Sequence, residues 1–103
     1  MASLTDAELL ESTRLACLRE REVQLWVLDH LLEVERRNLH IRLSYSNLYE
    51  YAQKFLRYSA GAAHRRIATA RMLREHPQLR DMLTDGRVTL TTASILAPLV
   101  TRA

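Results

Sequence analysis

No glycine or proline occurs before Gly61, and the whole chain of 103 residues holds only two of each. Those two residue types are the strongest breakers of regular backbone, one by its freedom and one by its missing N–H. A chain this poor in them must run as long regular elements joined by short turns. The abundance of Leu, Ala, Arg and Glu favours helix over strand. With 48 % apolar residues the chain can bury a real core. These facts predict an all-α fold of five or six helices in a single domain, residues 1–103.

Thr5-Asp6-Ala7-Glu8 reads as a capping box, with hydroxyl and carboxylate each satisfying the other residue's amide. Helix is expected from there almost to Asn38. A break is expected at Ser12-Thr13, where both hydroxyls compete for backbone partners. The long helix, Thr13 to Arg37, is apolar over a wide arc. Val23, Val27, His30, Leu31 and Val34 mark one stripe, Leu18, Leu25, Leu28 and Leu32 another, and Trp26 stands beside the first. A surface helix needs one stripe of roughly 100°. This arc predicts a long central helix that also packs on a partner chain, and it leaves mainly Asp29 and Glu33 for water. Cys17 sits in an apolar stretch and is expected to be a buried structural thiol; one cysteine excludes an internal disulfide.

The remaining elements are shorter. Asn38 to Asn47 is a connection, with Ser46 or Asn47 capping a helix whose Leu48, Tyr51, Ala52 and Phe55 share one face. Leu56-Arg57-Tyr58 is a turn, and Ser59 caps a helix running to Glu75. His76-Pro77 ends it, because the residue before proline leaves the helical region. A helix from Gln78 to Thr84, with Leu79, Met82 and Leu83 inward, stops at Asp85-Gly86. Val88 to Leu90 is an extended link, and Thr91 or Thr92 caps a last helix through Leu96, with Pro98 following. The apolar pattern runs on into Leu99-Val100, as expected of a domain cut from a longer chain.

Charge is unevenly spread. Residues 1–39 carry five basic and eight acidic side chains, a net of −3, whereas residues 40–103 carry ten basic and four acidic, a net of +6. An acidic first part followed by a basic second part is a footprint of nucleic-acid binding, although an arginine-rich composition alone also produces it. The acidic opening is no signal peptide, and no run of about 18 apolar residues suggests a membrane span. A cytoplasmic, nucleoid-associated location is expected. P-loop, dinucleotide, Cys-x-x-Cys and His-Glu-x-x-His motifs are absent. The four histidines are scattered, so no metal, cofactor, small-molecule substrate or catalysis is expected.

The most informative stretch is "YSAGAAHRRIATARML", Tyr58 to Leu73. A helix entering the major groove needs small residues at its N-terminus, and Ala60, Gly61, Ala62 and Ala63 supply them. Ser59 and the first-turn amides suit a phosphate. With Ala63, Ile67, Ala70 and Leu73 as the buried stripe, Gly61, His64, Arg65, Ala68 and Thr69 are expected to face outward. Arg65 is the candidate for a fork to guanine and His64 for a base or phosphate. Arg57, Arg66, Arg71 and Arg74 are candidate phosphate contacts.

From Tyr49 to Leu99 the chain resembles the DNA-binding core of ParB-type partition proteins, with Ala52, Ser59, Arg71, Leu73, Pro77, Leu83, Asp85, Gly86, Ala93 and Leu96 on that family's pattern. Over nearly its whole length it is similar to the helical domain found ahead of HNH nuclease modules in bacteria. Glu8-Leu9-Leu10, Val34-Glu35-Arg36-Arg37, Tyr45-Ser46, Glu50-Tyr51 and Tyr58-Ser59 carry that likeness. The resemblance implies a ParB-like helix-turn-helix that targets duplex DNA as part of a larger bacterial protein. Two departures stand out. Arg57 occupies the place where related turns tend to have glycine, and no ββα nuclease unit is present.

Two readings follow. In the first, the chain is a non-catalytic duplex-DNA-binding domain with its recognition helix at about residues 59–75, and the long helix offers a homodimer surface. In the second, it is a protein-interaction or oligomerisation module working through Trp26, Val27, Leu31 and Val34, and the basic helix is merely solvated.

Overall fold

The computed structural model describes residues 2–101, with side chains described through Leu99. Arg102, one of the ten later cations, and the Val100 side chain lie outside the described residues. The described fold is all-α. Helix α1 spans Asp6–Arg36, α2 Leu39–Arg42, α3 Leu48–Lys54, α4 Ala60–Glu75, α5 Arg80–Thr84 and α6 Leu90–Thr101, with a 3₁₀ turn at Pro77–Leu79 leading into α5. No described helix is long and apolar enough to cross a membrane.

The capping box at Thr5 and Glu8 forms in both directions. The predicted break at Ser12-Thr13 does not occur. The Thr13 hydroxyl instead donates to the Leu9 carbonyl at 2.8 Å, a back-bond that a helix tolerates. Asp6–Arg36 is therefore one rod, roughly 46 Å long at 1.5 Å per residue. It ends at Asn38, held at φ 56°, a left-handed conformation that asparagine tolerates better than most residues. At this end Glu33 accepts hydrogen bonds from Arg36 and then Arg37, and these hold its carboxyl down at about 2. Asp29 is exposed, as expected, and Arg80 of α5 pairs with it there at 2.6 Å.

Only the second half of α1 meets the body. Leu25, Leu28 and Leu31 are buried, whereas every residue from 5 to 17 is exposed. Cys17 is among them, which corrects its expected burial: the globular part does not reach that far along the rod. The overhang also explains a radius of gyration of 16.1 Å, where a compact chain of this length has about 13 Å.

The core divides into two clusters on either side of α4. Ala63 and Ile67 pack with Leu31, Leu48 and Ala52 of α1 and α3. Ala70, Met72 and Leu73 pack with Leu25, Leu28, Leu83, Leu90, Ala93 and Ala97, the last three from α6. Phe55, expected inward, is exposed; it caps the end of α3 and stacks on Tyr51 with centroids 5.2 Å apart. At the far end the cap of α6 is Thr89, whose hydroxyl accepts from the Thr92 amide, not Thr91 or Thr92. The helix then continues through Pro98 to Thr101, beyond the predicted end at Leu96. Gly86 adopts φ 84° after α5, and the Arg21 guanidinium lies so close that a Cβ there would stand 3.3 Å from it.

Candidate nucleic-acid interface

Helices α3 and α4 are joined by a short turn, residues 55–59. Asn47 caps α3 by accepting from the Glu50 amide at 2.8 Å, and Ser59 caps α4 by accepting from the Ala62 amide at 3.1 Å. Between them the Tyr58 amide donates to the Ala52 carbonyl, which folds the turn back onto α3. This geometry requires a left-handed residue, and Arg57 fills that role at φ 68°. The turn therefore keeps the shape that glycine would give it, at a cost of about 1–2 kcal/mol for a side chain bearing a Cβ.

Arg66 takes part in building this turn. Its guanidinium lies 4.4 Å from the Tyr58 ring centroid and donates to the Ala62 carbonyl. It faces α1, where Glu20 and Gln24 form the opposite wall. The outward role expected of it is only partly compatible with this position.

Gly61 and Arg65 are in direct contact. A Cβ on Gly61 would stand 3.1 Å from Arg65 Nη1, so the guanidinium folds over the first turn of α4 in the space that Gly61 leaves open. That turn offers open amides at Ala60 and Gly61, since the Ala62 and Ala63 amides are the ones the Ser59 cap satisfies. Arg65 also borders a cleft of about 420 Å³ between α1, α4 and the start of α6, shared with Arg21, Arg66 and Glu20. His64, exposed, stacks on Tyr49 with centroids 6.4 Å apart and planes 19° apart.

Thr69, expected to face outward, is fully buried, and its Oγ1 has no hydrogen-bond partner among the described residues. By spacing it shares a face with Met72 and Leu73, the side of α4 that packs against α6. Ala68 is half-buried for the same reason. The residues of α4 that stay exposed are Ala60, Gly61, His64, Arg74 and Glu75.

The arginines separate into two groups. Arg71 and Arg74 both reach Glu35 of α1, at 2.5 and 3.7 Å, and Arg71 also lies 5.5 Å from the Tyr49 ring. Lys54, Arg80 and Arg87 are paired with Glu50, Asp29 and Asp85. Among the described residues from 40 onward, the cations with no carboxylate at salt-bridging distance are Arg42, Arg57, Arg65 and Arg66. Three of these four surround the N-terminus of α4. No sequence rule picks them out, because the carboxylates that neutralise Arg71 and Arg80 lie 36 and 51 residues earlier in the chain.

Among the described residues no three His, Cys, Asp or Glu side chains are grouped to hold a metal ion. Comparison of the chain with protein families, with curated proteins and with solved structures finds no match.

Proposed function

We propose that this chain is a non-catalytic, duplex-DNA-binding domain that uses the N-terminal end of α4. The observation that carries this reading is Arg65. An uncompensated guanidinium lies across Gly61 at the end of α4 where the helix dipole is already positive. Two like charges brought together without a carboxylate raise the local attraction for an anion. Arg57 adds a third positive contribution from the turn, and the Ser59 hydroxyl can donate while it caps.

The site assigned to DNA is Arg57, Ser59, Gly61, His64 and Arg65. Arg57 and Ser59 contact phosphate, and His64 and Arg65 approach base edges as the small first turn enters the groove. Arg66 supports the turn. Arg71 and Arg74 hold α4 against α1. The likeness to helical domains ahead of HNH modules supports a targeting role within a larger bacterial protein, with any nuclease encoded after Ala103.

The test is retention on non-specific duplex at low salt. Arg65→Ala and Arg57→Ala are each expected to lower affinity. Arg57→Ala, which removes a phosphate contact, should also flatten the log–log salt dependence by about 0.9 in slope. A wild-type chain that does not bind duplex at about 50 mM salt, where such contacts are strongest, refutes the reading.

A further inference from the structure

One face of α1, largely exposed, carries an unusual pattern; Val27 lies at its inner edge, partly buried against the core, and Glu20 borders the clefts it shares with Arg65 and Arg66. Leu9, Ser12, Ala16, Val23, Val27 and His30 recur every three or four residues along this face, with Arg19 and Glu20 at the midpoint. The stripe is asymmetric in size. Its first half, on the overhang, carries the small side chains Ser12 and Ala16. Its second half, over the body, carries Val23 at 54 % exposure and, on its flank, Trp26 at 63 %. Beside the second half lies an apolar cavity of about 420 Å³ lined by Trp26, Val27, His30, Val34, Leu56 and Tyr58.

We infer that this face pairs with the same face of a second copy, the two α1 helices running antiparallel with their centre between Arg19 and Glu20. Reversing one stripe against the other puts Ala16 opposite Val23, Ser12 opposite Val27 and Leu9 opposite His30 at the rim of the apolar cavity. Small thus meets large at the two inner steps, twice over, as a two-fold interface requires. The same register sets Arg19 opposite Glu20 in both directions. This gives two complementary ion pairs at the axis, whereas a parallel pairing would set Arg19 on Arg19 and Glu20 on Glu20. Leu15 falls on the flank that carries the partner's Trp26.

The fit also accounts for the overhang. An isolated helical segment of about 12–15 residues is marginal in water. Residues 5–17 find nothing to pack on within their own copy, yet in the antiparallel pair they lie along the second copy's body. The paired stretch, Leu9 to His30, is about 33 Å long. This inference does not depend on DNA binding.

The test uses the 103-residue chain. Light scattering is expected to give twice the 11.9 kDa chain mass, and Val23→Asp to return it to 11.9 kDa with helical content kept, since that side chain lies outside the core. Trp26 is the sole tryptophan, so its emission shifts to the red in the same variant. In a Cys17→Ser background, the double variant Ala16→Cys, Val23→Cys is expected to form a covalent dimer on mild oxidation, and neither single variant does. A mass of 11.9 kDa for the wild type at every concentration overturns the inference. Single variants that cross-link as fully as the double one overturn it as well, by showing a parallel pairing.

Discussion

The Arg71 guanidinium of α4 meets the Glu35 carboxylate of α1 at 2.5 Å, and Arg74 approaches the same carboxylate from one turn further on. Glu35 therefore fixes α4 against the rod while removing two cations from the surface that DNA would meet.

Arg71→Ala is expected to cost stability without reducing duplex affinity. The pair is partly solvated, so the cost is about 0.5 kcal/mol, at the level of other screened ion pairs. Urea denaturation measures the first effect and a shift assay the second. A fall in affinity comparable to that of Arg65→Ala would return Arg71 to the DNA site.

Arg57 supplies a different separation. Replacing it by glycine relieves the left-handed backbone and is expected to stabilise the fold by about 1 kcal/mol. The same change removes an unpaired cation and lowers DNA affinity. Opposite signs of the two effects, by thermal melting and by binding, are the prediction. An Arg57→Gly variant that is both more stable and equally tight in binding leaves Arg57 with no role at the interface.

Thr69→Val tests the buried side of α4. The hydroxyl has no partner among the described residues, so an isosteric apolar side chain removes an uncompensated desolvation. Stability is expected to rise by about 1 kcal/mol, read from the denaturant midpoint, with DNA binding unchanged. A fall in stability instead would reveal a hydroxyl partner within the core.

Glu33 makes the end of α1 sensitive to acid. Its carboxyl is held at about 2, below the ordinary 4.5, by hydrogen bonds from Arg36 and Arg37. A carboxyl whose folded value is depressed contributes stability above its unfolded value and loses it as pH falls. The contribution is thus present above 4.5 and gone below about 2. Side-chain NMR titration should find this midpoint, and Arg36→Ala should move it upward more than Arg37→Ala does. A Glu33 midpoint near 4.5 in the wild type would show that these bonds do not persist in solution.

Local signals are legible in the chain. Thr5, Asn47 and Ser59 cap helices by chemistry that lies within three residues, and Gly86 marks its own turn. The Arg57 turn is also visible, as a departure whose conformation glycine would normally supply. Non-local facts are not legible. Periodicity turns Thr69 outward because its burial is imposed by α6, some 20 residues later, and the pattern of α4 does not record which helices cover it. An apolar stretch points Cys17 inward because it does not reveal where the body ends along a rod. The sorting of arginines into paired and unpaired is equally hidden, since it follows from which carboxylates the packing of α1 brings near.

The unbroken course of α1 gives the molecule a mechanical property. Arg21 reaches the Thr84 carbonyl and closes over Gly86, Asp29 holds α5, and Glu35 holds α4, all from a single rigid shaft. The free end of that shaft is a lever arm. A partner seated on residues 5–17 would load all three attachments through this one helix.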